Sequence, residues 1–358
     1  MMLRNLKKFY KNKKILITGN TGFKGSWLTM LLNSFGSKIC GFSLYETSKP
    51  NLYRILKLNK KINFIKGDIR DLNSIQTAVN KFKPDIIFHL AAQSLVKDSY
   101  IDPHFTISTN AGGSNNILEC CRLSKSLKSI VYITSDKCYE NVEWIWGYRE
   151  NDKLGGYDAY SSSKAASENI FSAYLESFLK QKKIGAASAR AGNVIGGGDW
   201  SKDRIIPDII RSISSKKKLV IRNPSSTRPW QHVLDPLMGY IILGMKTFRN
   251  NDYSGAWNFG PSNDKVFTVK DVVNQISKNL KINKNKFLLK NNKNANFKEA
   301  RLLKLNCDKA NEYLNWKPKL TSTESINLTS DWYKSYLNKN NMFIETQNQI
   351  KNYLKKYE

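Results

Sequence analysis

KKILITGNTGFKG, residues 13–25, joins a short apolar run to a glycine-rich turn. The apolar run predicts a buried strand, and Gly19, Gly22 and Gly25 follow it in a GxxGxxG spacing that opens a helical pattern. Glycines at these places let the backbone turn tightly and let a pyrophosphate approach the free N–H groups of the helix. A plain strand–turn–helix corner is the alternative, but the position directly after the first strand favours dinucleotide binding.

The same alternation of apolar strands and amphipathic helices continues through the first half of the chain. Strands are predicted at 13–18, 37–42, 62–67, 85–90, 129–134 and 185–190. Helices are predicted near 25–35, 71–82, 105–125 and 160–181, and in the second half near 268–280, 307–314 and 322–338. This pattern predicts an α/β fold with a Rossmann-type, doubly wound parallel sheet.

The domain organisation follows from a change in rhythm after residue 190, where Gly-, Pro- and Ser-bearing loops interrupt the pattern. We expect an NAD-binding Rossmann domain at 13–190, to which the chain returns at about 231–262. A smaller C-terminal substrate-binding lobe is expected from 191–230 and 263–340.

Composition narrows the class of protein. The chain has 358 residues, 41% of them hydrophobic, which is enough to bury a full core, and its apolar runs are too short to span a bilayer. A net charge of +29 invites a nucleic-acid interpretation, but the lysines are dispersed along the chain. That dispersal favours a solvated surface over a phosphate-tracking stripe, so neither a nucleic-acid nor a membrane partner is expected.

Cysteine and histidine usage indicates the compartment and the absence of a metal. The five cysteines show no CxxC spacing, and the three histidines are scattered. The basic first residues also lack the apolar segment of a signal peptide. We expect reduced thiols in a cytoplasmic protein and no metal site.

The adenosine end of the expected cofactor site lacks the acidic residue that is usual there. The second strand usually ends in an acid that holds the ribose hydroxyls, but GFSLYET (41–47) has serine and leucine there, and Glu46 comes only further on. This leaves NAD and NADP both open, and Lys24 could contact a 2′-phosphate. Asp68 could accept from the adenine amino group, although Asp68 or Asp71 could instead cap the next helix.

The segment YSSSK (160–164) carries the sharpest chemical signal. Tyr160 and Lys164 are four residues apart in a predicted helix, so they point to the same side. A free tyrosine, with a pKa of about 10, is a poor base, and a nearby ammonium can lower that pKa by several units. Such a pair can take a proton from a sugar hydroxyl while hydride leaves the same carbon. A surface Tyr–Lys pair is the alternative, which the glycine loop and the strand-end Ser135 disfavour.

The segment TSDKCY (134–139) follows the predicted strand 129–133. Its Ser135, Asp136 and Lys137 place a hydroxyl and two opposite charges at the tip of a buried strand, which suggests chemistry. The alternative is an exposed Asp–Lys ion pair worth less than about 1 kcal/mol.

Together these motifs resemble the extended short-chain dehydrogenase/reductase family, and longer blocks resemble its CDP-glucose 4,6-dehydratases. The resemblance extends from about residue 13 to 335 and leaves out the basic N-terminus and the Lys/Asn-rich tail. The blocks are TGNTGFKGSWL (18–28), FHLAAQSLV (88–96), ITSDKCYEN (133–141), WGYRENDKLGGYDAYSSSK (146–164), RAGNVIGGGDW (190–200), RNPSSTRPWQHVLDP (222–236) and WNFGP (257–261).

The resemblance implies an NAD-dependent lyase that makes CDP-4-dehydro-6-deoxy-D-glucose and water from CDP-D-glucose, for deoxysugars of a surface polysaccharide such as the O-antigen of lipopolysaccharide. C4 is oxidised, water is eliminated across C5 and C6, and hydride returns to C6. Elimination needs an acid and a base. Asp136 is the expected acid if burial keeps it protonated. Related dTDP-glucose enzymes have a glutamate base at the next position, where this chain has Lys137, either a base or an enolate stabiliser.

The resemblance also implies binding residues. Asn110 is expected to orient the catalytic helix or the cofactor, and the forked guanidinium groups of the arginines suit phosphate oxygens. For the cofactor the residues are Gly19, Thr21, Gly22, Phe23, Lys24, Gly25, Asp68, Ile69, Ala91, Ala92, Gln93, Asn110, Tyr160 and Lys164. For the substrate they are Asn193, Arg204, Arg228, Asn258 and Arg301.

Two other functions stay open at this point. A 4,6-dehydratase or 4-epimerase for another nucleotide sugar is one, although a simple epimerase needs no elimination catalyst such as Asp136–Lys137. An idle NAD-binding fold that binds RNA through its charge is the other, which the intact Ser135, Tyr160 and Lys164 argue against.

The family resemblance also implies a homodimer or homotetramer. We expect the helices at 105–125 and 160–181 to pair as a four-helix bundle. The candidate apolar face comprises Ile117, Leu118, Ile170, Phe171 and Tyr174, with burial inside the monomer as the alternative.

Overall fold

The computed structural model describes residues 1–46, 48–214, 218–221, 223–261, 267–289 and 302–358. The strands in these ranges are β1 (Lys14–Thr18), β2 (Lys38–Ser43), β3 (Asn63–Lys66), β4 (Ile86–His89), β5 (Ser129–Ile133), β6 (Gly185–Arg190), β7 (Val194–Ile195), β8 (Leu219–Ile221), β9 (Thr227–Arg228), β10 (Gln231–His232), β11 (Gly255–Asn258), β12 (Phe267–Thr268) and β13 (Phe287–Leu289).

Helices connect most of these strands. They are α1 (Met2–Tyr10), α2 (Phe23–Ser34), α3 (Leu52–Ile55), α4 (Leu72–Phe82), α5 (Val96–Ile101), α6 (Pro103–Ile107), α7 (Gly113–Leu123), α8 (Ala159–Tyr174), α9 (Ile205–Ser214), α10 (Leu234–Arg249), α11 (Val269–Leu280), α12 (Asp308–Leu314), α13 (Ser322–Leu337) and α14 (Met342–Leu354). The π-helical segments Ser108–Gly112 and Leu175–Leu179 follow α6 and α8.

A seven-stranded sheet organises the molecule, with the spatial order β11-β6-β5-β4-β1-β2-β3 and every neighbouring pair parallel. Because successive side chains of a strand point to opposite faces, each strand contributes side chains to two hydrophobic cores, one on each face of the sheet. Ile15 and Ile17 of β1 pack on the face covered by α2 and α10, while Leu16 packs on the face covered by α4, α7 and α8. The expected doubly wound α/β fold is confirmed.

The second half of the chain forms smaller units beside the carboxyl ends of the strands. β7 pairs with β10, β8 with β13 and β9 with β12, and α11 packs against α13. The chain also returns to the sheet, since β11 lies at its edge next to β6 and α10 packs on β5 and β6. The proposed domain boundaries stay a prediction, and parts of 263–340 lie outside the described residues.

The bounds of the six predicted strands agree with the structure to within one residue. The single helix predicted at 105–125 is wrong in detail, because it is divided into α6, a π segment and α7. A π segment widens a helical turn, and here it carries Asn110, whose role is described below.

Both ends of the chain, which lie outside the resemblance, pack against α10. Tyr10 of α1 donates a hydrogen bond to the carbonyl of Ile241 at 2.6 Å. Tyr353 of α14 donates to Oδ1 of the buried Asp235 at 2.7 Å, and burial raises the pKa of Asp235 to about 6. The N-terminal and C-terminal helices therefore belong to the core of the structure.

The predicted intersubunit face is wrong in three of its five positions. Ile117, Leu118 and Phe171 are buried in the core between α7, α8 and the sheet, which leaves them unavailable to a second chain. Ile170 and Tyr174 are half-buried. The large apolar side chains that α6, α7 and the π segment after α8 expose are instead Ile107, Leu123 and Phe178.

No helix in the described ranges combines the length and the apolar character needed to cross a bilayer. The same ranges contain no cluster of three or more His, Cys, Asp or Glu side chains that could hold a metal ion.

Candidate active site

A cleft of about 1380 Å³ opens at the carboxyl ends of the parallel strands, where ligands of such sheets bind. The loops after β1, β4, β5 and β6 line it on one side, and residues of 193–230 line it on the other. Pockets for one small ligand have volumes of about 300–1,000 Å³, so this cleft has room for two ligands side by side.

The glycine loop forms the floor of one half of the cleft. Gly19 has φ +72°, and a Cβ there would lie 2.7 Å from the backbone nitrogen of Ala91. A Cβ on Gly25 would lie 2.2 Å from the carbonyl oxygen of Gly19. No side chain caps α2 at Gly22, so the first N–H groups of the helix are available to an anion. This cradle fits the pyrophosphate of a dinucleotide.

The end of β2 is tied to the glycine loop. The Ser43 hydroxyl donates to Asn20 Oδ1 and shares a hydrogen bond with Thr21 Oγ1, both at 3.0 Å. Glu46 pairs with Arg54 and does not line the cleft. An acid therefore does not take the usual ribose-binding position at this strand end.

Asp68 lines the cleft after β3, as expected, but its carboxylate is held by Arg70. The Arg70 side chain donates to it at 2.6–3.1 Å, which holds the pKa of Asp68 below its usual range. Asp71, not Asp68, caps α4 by accepting from the Ser74 N–H at 3.2 Å. The capping alternative thus applies to Asp71 alone.

Ser135, Asp136 and Lys137 lie together where β5 enters the cleft. Ser135 has extended backbone and starts a 3₁₀ turn over Asp136–Cys138. Its hydroxyl donates to Asp136 Oδ1 at 2.9 Å and accepts from the Lys137 N–H at 3.2 Å. Asp136 is only 5% exposed, and a Cβ on Gly192 would lie 2.4 Å from its Oδ2, so only a glycine fits there.

Tyr160 and Lys164 face the same cleft from the first turns of α8. The helix begins after Asp158, which accepts from the Ser161 N–H at 2.9 Å and fixes where Tyr160 emerges. Burial raises the pKa of Tyr160 to about 12, opposed by a hydrogen bond with Ser135, so the expected lowering is wrong for this structure. Burial also lowers the pKa of Lys164 to about 8, and the Glu168 carboxylate opposes that change.

Asn110 does not line the cleft, which corrects its assignment as a cofactor contact. It is fully buried, and it accepts from the Gln93 N–H at 2.9 Å and donates to the Gln93 carbonyl at 3.0 Å. It also donates to Ser163 Oγ at 2.9 Å. Asn110 thus positions α8 and the loop after β4, where Ala91, Ala92 and Gln93 line the cleft.

A buried ion pair that the sequence analysis missed lies under these groups. Glu168, one turn after Lys164, pairs with Arg190 at 2.7 Å, with side chains 2% and 4% exposed. Glu168 also accepts from Thr134 and, at 2.8 Å, from Ser188. The spacing Lys164–Glu168, four residues in a helix, was the available signal, but the partner on β6 is distant in sequence.

The second half of the cleft carries positive charge. Arg204 donates to Asp199 Oδ2 at 3.0 Å and lines the cleft with Asn193 and Arg228. Asp199 was not assigned to this part of the cleft from the sequence. Lys24 also lines the cleft, and burial, reinforced by the Arg204 charge, lowers its pKa to about 8. Its contact with a 2′-phosphate stays a prediction.

One expected substrate residue, Asn258, does not line the cleft. Asn258 is fully buried, accepts from the Tyr139 hydroxyl at 2.8 Å and donates to the carbonyls of Tyr148 and Asn306. These bonds occupy its amide, so Asn258 holds loops together. Arg301 lies outside the described residues. The other expected cofactor residues, Thr21, Phe23 and Ile69, line the cleft.

A Rossmann-type sheet with a glycine loop at β1, a strand-end serine and a Tyr-x-x-x-Lys helix defines the extended short-chain dehydrogenase/reductase class. The family model described as GDP-mannose 4,6 dehydratase matches residues 16–329. The chain is also 43% identical over 354 residues to a CDP-glucose 4,6-dehydratase of Salmonella typhimurium, which covers 97% of this chain and 98% of the relative. The chain belongs to this family of nucleotide-sugar 4,6-dehydratases, which are hydro-lyases.

Solved structures agree on the fold. A dTDP-glucose 4,6-dehydratase of Streptomyces venezuelae aligns with a TM-score of 0.77 at 19% identity, covering 91% of this chain and 98% of that one. A UDP-glucose 4-epimerase of Thermotoga maritima aligns with a TM-score of 0.76 at 22% identity, covering 90% and 99%. The expected resemblance is confirmed, and the similarity to the Salmonella relative extends beyond residues 13–335.

The buried pair predicts a specific pattern of stability. Arg190→Met leaves the Glu168 carboxylate buried without a counter-ion and should lower the free energy of unfolding by about 3–5 kcal/mol. The double variant Glu168→Gln, Arg190→Met leaves no charge uncompensated and should be more stable than the single variant. Urea unfolding measures both, with exposed Glu176→Gln as the control, which should cost less than about 1 kcal/mol. Equal losses in the single and double variants would contradict the prediction.

Proposed function

We propose that this chain is a CDP-glucose 4,6-dehydratase that converts CDP-D-glucose to CDP-4-dehydro-6-deoxy-D-glucose and water. The observation that carries the proposal is the juxtaposition of Asp136 and Lys137 with Ser135, Tyr160 and Lys164 in one cleft. A simple dehydrogenase needs only the last three. The identity of 43% to the Salmonella CDP-glucose 4,6-dehydratase supports the choice of substrate.

The proposed cofactor is NAD, held by the glycine loop, the loop after β4 and Asp68. Two solved structures with this fold contain NAD. When bound, the nicotinamide supplies the redox chemistry by accepting hydride from C4 of the sugar and returning it to C6. Gly19, Gly22 and Gly25 leave space for its pyrophosphate, as shown by the contacts that a Cβ would make.

Tyr160 is the proposed base for the C4 hydroxyl. Its hydrogen bond with Ser135 fixes the phenol, and Ser135 in turn orients the sugar hydroxyl. Tyr160 acts as the phenolate, which has already released its own proton to solvent and accepts the proton of the C4 hydroxyl as hydride leaves C4. Burial disfavours the phenolate by raising the pKa of Tyr160 to about 12, and the ammonium form of Lys164 on the next turn of α8 favours it. Lys164 thereby acts as the positive charge that stabilises the phenolate.

Asp136 is the proposed acid for the departing C6 hydroxyl. The Ser135 hydroxyl donates to Oδ1 at 2.9 Å, which leaves Oδ2 as the oxygen available to the departing hydroxyl. Lys137, half-buried in the same turn, is the proposed base for C5–H or stabiliser of the enolate. Asn193, Arg204 and Arg228 are the proposed ligands of the substrate diphosphate.

We also propose that the chain acts in the cytoplasm as a homodimer and supplies deoxysugars for a surface polysaccharide. The five free cysteines support a reducing compartment. The exposed Ile107, Leu123 and Phe178, all on the pair of helices expected at the interface, support the dimer.

The function is tested by incubating the purified protein separately with CDP-, dTDP-, UDP- and GDP-glucose and following a 4-keto product. We expect the highest kcat/KM with CDP-glucose and many turnovers without added NAD, since hydride leaves and returns to one sugar. Tyr160→Phe, which removes the proton acceptor, is the inactive control. A demand for one NAD per substrate, with accumulation of NADH, contradicts the closed cycle and indicates a simple dehydrogenase.

The role of Asp136 is tested by Asp136→Asn. Elimination should slow by about 10²- to 10⁴-fold, the usual contribution of general acid catalysis, while C4 oxidation stays largely intact. A single turnover with CDP-6-fluoro-6-deoxyglucose separates the roles, because fluoride departs without a proton, and the variant should process it nearly as well as wild type. A variant equally slow on both substrates shows that Asp136 is not the acid.

The dimer is tested by light scattering at micromolar concentration, where we expect twice the chain mass of 41.0 kDa. Phe178→Glu should produce monomers, because it places a carboxylate on the proposed shared face. Tyr313→Glu, a change of an exposed aromatic on α12, is the matched control and should leave the dimer intact. A wild-type mass equal to one chain rejects this assembly.

A further inference from the structure

Asp199 is a buried carboxylate in the half of the cleft proposed to bind the substrate, and no step of the proposed reaction uses it. It follows the three glycines of 196–198, lines the cleft and is 4% exposed. Its Oδ2 accepts a hydrogen bond from Arg204 Nη1, and its Oδ1 accepts one from the Ser201 N–H, both at 3.0 Å. A negative charge beside a diphosphate site would by itself repel the ligand, so its presence there needs a physical reason.

The backbone at Asp199 is held by helices on two sides. Trp27 of α2 donates from Nε1 to the Gly197 carbonyl at 2.9 Å. Tyr333 of α13 donates its hydroxyl to the Asp199 carbonyl at 2.5 Å. Both donor side chains are fully buried. These two hydrogen bonds fix residues 197–199 against α2 and α13, so the carboxylate of Asp199 leaves the backbone from a fixed place.

The residues that follow Asp199 are fixed by a third helix. Arg211 of α9 donates to the carbonyls of Trp200 and Ser201, both at 3.0 Å. Arg204 comes three residues after Ser201, and its side chain is 36% exposed. Within the part of the chain that the structure describes, its guanidinium donates one hydrogen bond, to Asp199. A guanidinium has five N–H donors, so most of them are left for a ligand.

An arginine side chain loses much rotamer freedom when it binds an anion, and a partner that already holds it reduces that cost. We propose that Asp199 is a positioning residue for the substrate diphosphate, because it holds the Arg204 guanidinium in the cleft before the substrate binds. Its hydrogen bonds with Arg204 and Ser201 offset the negative charge that would otherwise repel the ligand. This inference rests on the proposed function.

The first test is the sign of the change in CDP affinity, measured by titration calorimetry on the purified holoprotein. Asp199→Asn keeps the shape of the side chain and removes its charge. Simple electrostatics predicts that the variant binds CDP more tightly. Positioning predicts roughly 10-fold weaker CDP binding, as expected for the loss of a charged hydrogen bond, with cytidine binding unchanged. Tighter or unchanged CDP binding overturns the proposal.

The second test is a double-mutant cycle with Arg204. Arg204→Met alone should weaken CDP binding roughly 10- to 100-fold. In that background Asp199→Asn should change the affinity by less than about twofold, because Asp199 acts through Arg204. The same loss in both backgrounds would show that Asp199 acts by another route. Unchanged CDP affinity in Arg204→Met overturns the proposal even where Asp199→Asn does not fold.

Steady-state kinetics separate positioning from chemistry. Asp199→Asn should raise KM for the nucleotide sugar about 10-fold and leave kcat within about threefold of wild type, with unchanged NAD content and thermal transition. A large fall in kcat at unchanged CDP affinity would assign Asp199 to the chemical steps and overturn the proposal. Asp252→Asn is the matched control, because it removes an exposed carboxylate before β11, at the opposite ends of the strands, and it should behave as wild type.

The outcome is separable from the choice of substrate. The same cycle with UDP, dTDP and GDP, each beside its nucleoside, locates the coupling between Asp199 and Arg204 on whichever diphosphate the chain binds best. If CDP-glucose is not the substrate, the proposed function fails while the coupling persists on another diphosphate. If CDP-glucose turns over but Asp199→Asn binds CDP as tightly as wild type does, the inference on Asp199 fails alone.

Discussion

The buried ion pair between Glu168 and Arg190 is the interaction on which the arrangement of the cleft depends. Glu168 belongs to α8 and contacts Thr134 and Ser188, while Arg190 at the end of β6 donates to the Tyr139 hydroxyl at 2.7 Å and the Glu150 carbonyl at 2.9 Å. Two buried charges are costly unless each is fully paired. Because a displacement of α8 would separate Glu168 from Arg190, the pair fixes the helix that carries Tyr160 and Lys164 relative to β5 and β6.

That constraint explains why burial governs the acid–base groups. Fixed against the sheet, α8 holds Tyr160 and Lys164 in surroundings that disfavour their charged forms, which raises the pKa of Tyr160 and lowers that of Lys164. The two shifts act together, because each favours the neutral form of its group. Glu168 is connected to this balance through Lys164, because its negative charge favours the ammonium.

The sequence predicts the elements that local patterns specify and misses what distant contacts decide. The glycine loop, six strands and the Tyr160–Lys164 helix follow from period and spacing, since each is encoded within about twenty residues. Asn258 and Asn110 show the limit. Both looked like ligand contacts. Their amide groups instead form hydrogen bonds with backbone groups that folding brings near, including the Asn306 carbonyl and the Gln93 backbone. No local pattern shows which polar side chain a fold will use for its own loops.

The charge that lines the cleft differs in its effect from the net charge of +29 that the whole chain carries. Exposed lysines act through water and salt, where their fields fall off over about 8 Å, so dispersed surface charge confers no specific site. The cations of the cleft act in a less polar space against few counter-ions, and there a single ammonium has a large effect on a diphosphate. A Cβ on Gly19 would lie 2.7 Å from the Ala91 nitrogen and one on Gly25 would lie 2.2 Å from the Gly19 carbonyl oxygen, so the glycine loop packs closely against the start of α2. That packing leaves backbone N–H groups as the anion-binding groups of one half of the cleft, while Arg204 and Arg228 bring side-chain charge to the other half.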